Sequence, residues 1–312
     1  MLVLDQLHFS YNDRQHVLDH ISLELKPGEI FGIVGASGGG KSTLLKIIAG
    51  LIDPLDGTVS WNGERIKGPS EKLIPGHDEI QLVNQDFGLD LFHTVKENVL
   101  IRMLHLPERA RLRFGKELLE LVELTHLSDK QARYLSGGEQ QRLSIARALA
   151  MESEVLLLDE PFSHLDAHLR LKIGSYIKQL IEIRNTLCIL VSHEGAEVMQ
   201  WCAKIGFLDE GKLKRIDTPE AFYFHPSDLN EGAYFGELNE LKAGKTTHLF
   251  RPGEYEIAET GSVEIAFTDA VFFGAYWKSF FQTKKGETIV LYADQPLKNV
   301  KRIELKNKHT KA

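Results

Sequence analysis

The stretch Gly35-Ala36-Ser37-Gly38-Gly39-Gly40-Lys41-Ser42-Thr43 decides the fold. It follows the apolar run from Glu29 to Val34, which predicts a buried strand. It precedes Leu44 to Ala49, which predicts a buried helix stopped by Gly50. A strand, a glycine loop and a helix carrying G-x-x-x-x-G-K-[ST] make a phosphate-binding loop. Gly35, Gly38, Gly39 and Gly40 carry no Cβ, so backbone N–H groups can close around phosphate oxygens, with Ala36, Ser37 and Thr43 completing the cradle. The new helix turns its positive end to the anion. Lys41 is placed for the β- and γ-phosphates, and the Ser42 hydroxyl for Mg²⁺. The expectation is a nucleoside triphosphate site with Mg²⁺.

Composition bounds what this site can drive. The chain has 312 residues, enough for about two domains. Hydrophobic residues make up 43%, so a sizeable core can form. A net charge of −7 argues against the whole chain binding nucleic acid. Met1 to Asp5 has no basic region and reads as a first strand, not a signal peptide. No apolar run approaches the ~20 residues that span a bilayer. Cys188 lies in an apolar strand and Cys202 in an amphipathic helix, so both read as buried free thiols of a reducing compartment. A cytoplasmic protein is expected, meeting a membrane only through a partner.

Around the loop the chain adds further candidates. Leu2–Phe9 and Val17–Leu25 alternate as half-buried strands, and Gly57–Asn62 predicts a third. Tyr11, just before the second strand, is either a sheet-edge aromatic or a platform for a purine base. Ile80–Asn84 predicts a core strand with Gln85 at its end, either a loop amide or a ligand of Mg²⁺ or of the attacking water. From Phe87 to Arg133 the pattern is helical, over Val95–Leu106 and Ala110–Leu124. Ser136 and Glu139 form an S-x-x-E capping box, and Gly137 and Gly138 expose the N–H groups of the helix that follows, a second anion site. Val155–Glu160 is an apolar strand ending in two carboxylates. Asp159 suits Mg²⁺ through water, and Glu160 suits a general base. Asp166 precedes a helix from about Ala167 and can be its N-cap. Thr186–Val191 predicts another core strand, after which His193 is either structural or a γ-phosphate sensor.

Together these blocks resemble the ATP-binding subunits of ABC transporters. The matching segments are the A-loop at Tyr11, Walker A at Gly35–Thr43, the Q-loop at Gln85 and the signature Leu135-Ser-Gly-Gly-Glu-Gln140. Walker B at Leu156–Asp159 with Glu160, the D-loop at Ser163–Asp166 and the H-loop at His193 complete the set. His164, Glu139 and Glu194-Gly195 depart from the usual residues without removing a chemical group. The resemblance implies an α/β, RecA-like P-loop core with an N-terminal antiparallel β-subdomain and a helical insertion over about 87–145. It implies a head-to-tail dimer of two copies, in which Ser136, Gly137, Gly138 and Glu139 of one face the Walker A of the other. Glu160 then activates water, His193 contacts the γ-phosphate, and Asp166 couples the two sites. The segment Gln85–Asn98 would face a transmembrane permease, putting the subunit peripherally on the cytoplasmic side of the membrane. A solute-binding protein is expected in the complex.

The tail resembles that of importer ATPases for sugars, polyamines, iron or inorganic anions, which carry an OB-like (TOBE) regulatory domain. Asp217–Pro226 and the Leu249–Glu254 stretch, with Arg251-Pro252-Gly253-Glu254, carry that likeness. The division expected is an ATPase domain over 1–236 and a small all-β domain over 237–312, with strands over Ala270–Phe281 and Thr288–Tyr292. The competing reading is a soluble ABC ATPase acting on nucleic acid or ribosomes through that tail. Residues 237–312 hold 12 Lys+Arg against 10 Asp+Glu. A single ATPase core without zinc-type cysteine pairs weighs against it, and no nucleic-acid partner is expected.

Overall fold

A fully buried strand delivers the phosphate loop and a helix receives it. The computed structural model describes residues 1–11, 16–84, 87–243, 246–306 and 309–311; Gln85 lies outside them. The first half runs β1 (Leu2–Ser10), β2 (His16–Leu25), β3 (Ile30–Val34), α1 (Lys41–Ile48), β4 (Asp56–Trp61), β5 (Glu64–Arg65) and β6 (Ile80–Val83). Then come α2 (Val95–Leu100), α3 (Glu108–Leu121), α4 (Gly137–Leu149), β7 (Val155–Asp159), α5 (Ala167–Arg184), β8 (Leu187–Ser192), α6 (Gly195–Trp201), β9 (Lys204–Asp209) and β10 (Lys212–Asp217). The central sheet has the order β10-β9-β3-β8-β7-β6, parallel except for the β10 edge. Every residue of β3, β7 and β8 is buried, as parallel strands covered on both faces require. A second, antiparallel sheet runs β2-β1-β4-β5 and shares one core with the first.

The parallel arrangement brings the carboxyl ends of β3, β7 and β8 together, where ligands of open α/β sheets bind. The helical stretch after β6 departs from its pattern, the second helix running over Glu108–Leu121 and not Ala110–Leu124. The α-helix expected to Leu106 ends at Leu100 and tightens into a 3₁₀ turn over Ile101–Met103. A second helix then starts behind Pro107, which cannot donate to a continuing helix. Among the described residues, no helix is long and apolar enough to cross a membrane.

By packing, the chain divides into Met1–Thr218 and Pro219–Ala312. The second unit opens with α7 (Pro219–Phe224) and α8 (Leu229–Tyr234). It continues as β11 (Asn239–Ala243), β12 (Thr246–Phe250), β13 (Tyr255–Ile257), β14 (Val263–Phe272), β15 (Trp277–Thr283), β16 (Thr288–Ala293), β17 (Arg302–Leu305) and β18 (His309–Lys311). These form sheets of order β11-β12-β18 and β13-β17-β14-β15-β16 around Phe250, Phe281, Ile289, Leu291 and Ile303. The strand expected across Ala270–Phe281 is a hairpin instead. It reverses after Phe272, where Gly274 sits at φ +80° and Phe273 N–H bonds the Tyr276 carbonyl.

Arg251 explains why the two short helices pack with this tail. Its side chain is 2% exposed. Nε donates to the Tyr223 carbonyl at 2.7 Å, and Nη1 to the carbonyls of Gly232, Gly236 and Glu237 at 3.1, 2.9 and 3.2 Å. The guanidinium lies 4.3 Å from the Tyr223 ring centre, and its own backbone N–H bonds Glu254 at 2.8 Å. Carbonyls left over at the ends of α7 and α8 thus find donors in one buried fork.

Candidate nucleotide site

The phosphate loop owes its glycines to two different demands. A Cβ on Gly35 would stand 1.9 Å from the Leu208 carbonyl oxygen, and one on Gly40 would stand 2.5 Å from the Val17 carbonyl oxygen. Gly40 also takes φ +94° as the N-cap of α1. These two glycines let β9 and β2 close against the loop. Gly38 has open space around it and serves the ligand side.

Lys41 is 5% exposed and donates Nζ–H to the carbonyls of Gly35 at 2.8 Å and Ala36 at 2.9 Å. Burial lowers its pKa, while the carboxylates of Glu160 and Asp159 oppose that shift. A desolvated ammonium held on neutral carbonyls is poised for an anion. Tyr11 follows β1, is 66% exposed, and has its hydroxyl 3.2 Å from Thr43 Oγ1. Its ring stands perpendicular to that of Phe9, with the ring centres 4.9 Å apart.

The strand ends supply the acidic side. Asp159 ends β7 and is 5% exposed. Among the described residues its Oδ1 has no hydrogen-bond partner, and burial raises its pKa, with the Ser42 side chain working against that rise. A carboxylate left this way beside a hydroxyl suits a hard cation with oxygen ligands. Glu160 follows at φ +49°, a left-handed backbone that costs a non-glycine residue about 1 kcal/mol. Its N–H bonds the Val191 carbonyl at 2.9 Å, and its carboxylate lies 3.0 Å from His193 Nδ1. The strained turn takes the side chain out of the alternation of the strand and sets it against the end of β8.

His193 is 46% exposed and stands on a buried support. Ser192 Oγ donates to Glu197 Oε2 at 2.7 Å and accepts from the Glu194 N–H at 2.9 Å. Glu197 is 3% exposed, its pKa raised by burial, and Arg170 lies 3.5 Å from it. Sequence reasoning missed Ser192, Glu197 and Arg170. The only signal was a polar i, i+5 pair flanking the histidine.

The capping box at Ser136 forms as read. Ser136 N–H and Oγ bond Glu139 Oε2 at 2.7 and 2.9 Å, and the Glu139 N–H returns to Ser136 Oγ at 3.4 Å. These donors hold the Glu139 carboxyl below its usual range. Gly137 is exposed, and a Cβ there would meet nothing. A fourth missed residue, buried Gln141, ties this turn to the hydrolytic end. Its Nε2 donates to the carbonyls of Glu160 and Pro161 at 3.0 and 2.9 Å, and its Oε1 meets His164 Nδ1 at 2.9 Å. Asp166 caps α5 by accepting from the Leu169 N–H at 2.9 Å. So the structure gathers Lys41, Ser42, Asp159, Glu160 and His193 at the ends of three strands. The Ser136 turn is held to them through Gln141.

Known proteins resemble this chain over most of its length. The family described as ABC transporter matches residues 18–163. The sulfate/thiosulfate import ATP-binding protein CysA of Pseudomonas syringae is 36% identical over 252 residues, 77% of this chain and 75% of that protein. The glucose import ATP-binding protein GlcV of Saccharolobus solfataricus is 35% identical over 235 residues, 74% of this chain and 66% of that protein. A dimeric ATP-binding cassette solved in a post-hydrolysis state with ADP and Pi is similar with a TM-score of 0.64. It is 29% identical, and the match covers 70% of this chain and 99% of that one.

Proposed function

The chain belongs to the ATP-binding subunits of ABC transporters, of the importer type, and from that membership we propose how its residues divide the work of ATP hydrolysis. The observation that carries the proposal is the Glu160–His193 contact at 3.0 Å, next in the chain to the buried Asp159. Backbone N–H groups of Gly38 to Thr43 and the Lys41 ammonium hold the phosphates. Tyr11, largely exposed, takes the base on its ring. Ser42 and Asp159 hold Mg²⁺, with Gln85 as the expected third contact. When bound, Mg²⁺ neutralises charge on the β- and γ-phosphate oxygens. Glu160 accepts the proton of the attacking water as its oxygen bonds the γ-phosphorus and the bond to the ADP oxygen breaks. His193 contacts the γ-phosphate, steadied by Ser192 and Glu197.

The second anion site belongs to a partner copy. In its own chain the Ser136 turn is exposed and caps only its own helix. A second copy placed head to tail aims Ser136, Gly137 and Gly138 at the γ-phosphate, and Asp166 lies where the two sites communicate. The dimeric cassette with ADP and Pi supports this arrangement.

A permease docks on the helical insertion, which exposes Leu91, Phe92, Ile101 and Leu104. Asn98 is fully buried. It accepts from the Asp90 N–H at 2.9 Å and donates to the Asp90 and Thr94 carbonyls at 2.9 and 3.0 Å, holding this apolar loop on α2. The working place is then the cytoplasmic face of the membrane, with a solute-binding protein completing the importer. The relatives named for sulfate/thiosulfate and for glucose suggest that cargo choice lies in the other subunits. The tail serves as an OB-like regulatory domain.

Glu160→Gln tests the proposal, because it keeps size and removes the base. Turnover falls by roughly 10²–10⁴-fold while ATP still binds. Hydrolysis at the wild-type rate would remove Glu160 from the role.

A further inference from the structure

A cluster of imidazoles and a carboxylate lies outside the nucleotide chemistry, on the β1–β2 hairpin. His8 is on β1; His16, Asp19 and His20 are on β2. In a regular strand Asp19 and His20 would face opposite sides of the sheet. Here the pairing shifts. Leu7 opposes Ile21 and Phe9 opposes Leu18, so β2 carries an extra residue between these pairs, and His20 sits at φ +53°. The bulge re-aims the local side chains. One ligand atom each from His8, Asp19 and His20 then lies within 4.8 Å of the others.

The details favour a cation. His20 Nδ1 is 2.6 Å from Asp19 Oδ1, and His8 Nδ1 is 4.0 Å from the same oxygen. His8 Nδ1 is buried and has no hydrogen-bond partner among the described residues, a cost that a metal bond would remove. Lys212 Nζ engages the other oxygen, Oδ2, at 3.1 Å, which leaves Oδ1 for the cluster. The His16 ring lies 4.9 Å from the His8 ring, at the edge of the group. On the open side, Asp19 and His20 line a surface cleft of about 410 Å³ with Gln6, Ser22 and Lys212, room for water to complete a coordination shell.

We propose that His8, Asp19 and His20, gathered by the β2 bulge, form a binding site for one divalent transition-metal ion of the zinc class. Two imidazoles and one carboxylate suit such an ion and leave a fourth position for His16 or water. Small side-chain movements suffice, because the three donors already converge. The site is separate from the Mg²⁺ position at Ser42 and Asp159, which offers only oxygen.

The test uses tag-free, full-length protein without nucleotide. Zn²⁺ affinity is measured by competition with a chromogenic chelator, and Co²⁺ is followed by its visible spectrum. The expected result is one saturable equivalent, with an intense tetrahedral-type Co²⁺ band. His20→Asn removes an imidazole but tolerates the left-handed backbone, and Asp19→Asn removes the carboxylate. Each should weaken Zn²⁺ at least about tenfold and erase the Co²⁺ band, while ATP binding shows that the fold is intact. The proposal is overturned if wild-type protein shows no saturable equivalent, or if both variants bind Zn²⁺ as tightly as wild type.

Discussion

Individual residues of the site carry opposing costs that can be measured. Asp159 is a buried carboxylate whose pKa is raised, so its charge destabilises the nucleotide-free fold at neutral pH. The sign follows from proton binding. Between its unfolded value and the raised folded value, the folded state holds more protons, so stability grows as pH falls through that window. Asp159→Asn removes both the cost and the pH dependence. Its nucleotide-free melting midpoint should rise, by about 2–4 °C for each kcal/mol relieved, while Mg²⁺-dependent hydrolysis is lost. Calorimetry of both proteins at several pH values checks this. Gly35→Ala tests the other demand on the loop. The added methyl meets the Leu208 carbonyl, and overpacking of about 1–3 kcal/mol should shift the loop and weaken ATP binding about tenfold or more, as titration with a fluorescent nucleotide would read.

At the scale of elements, single buried side chains hold segments in their working positions. Arg251→Ala leaves four carbonyls short of a donor and should destabilise the Pro219–Ala312 unit by roughly 3–5 kcal/mol. Hydrogen exchange should then rise across β12 and β15 and stay unchanged in β3, β7 and β8. Asn98→Ala should loosen Asp90–Thr94 and impair transport in the assembled complex more than ATP binding by the subunit, a split visible when transport and nucleotide affinity are measured on the same preparation. These residues also mark the limit of what the chain showed when read as a string. Gly35 to Thr43, Asp159, Glu160 and His193 were legible because each motif sits at a strand end whose apolar run is unambiguous. Gln141, Glu197 and Arg251 were not, because their partners lie 19, 5 and 28 residues away across tertiary contacts. The His8, Asp19 and His20 cluster was hidden for the same reason, since a strand pattern does not reveal a bulge. The Ala270–Phe281 stretch misled because aromatic residues on both sides of Gly274 continue the strand composition through a turn.

For the whole molecule, the phosphate loop is proposed to be half of a site. One chain holds the nucleotide cradle, the acidic strand ends and His193 together, yet its Ser136 turn faces outward with Gly137 exposed. On the proposed reading the chemistry needs a second copy, with ATP as the bridge that closes the pair. Mixing Ser136→Arg with Lys41→Ala subunits should restore part of the hydrolysis that each lacks alone, since one of the two composite sites is then intact. The most direct measurement is sedimentation velocity of Glu160→Gln with and without ATP. The account predicts monomers without ATP and dimers holding two ATP with it. Adding Ser136→Arg to the same chain should return it to an ATP-bound monomer. A Glu160→Gln protein that binds ATP and stays monomeric, or a Ser136→Arg double variant that dimerises just as well, would contradict the shared site.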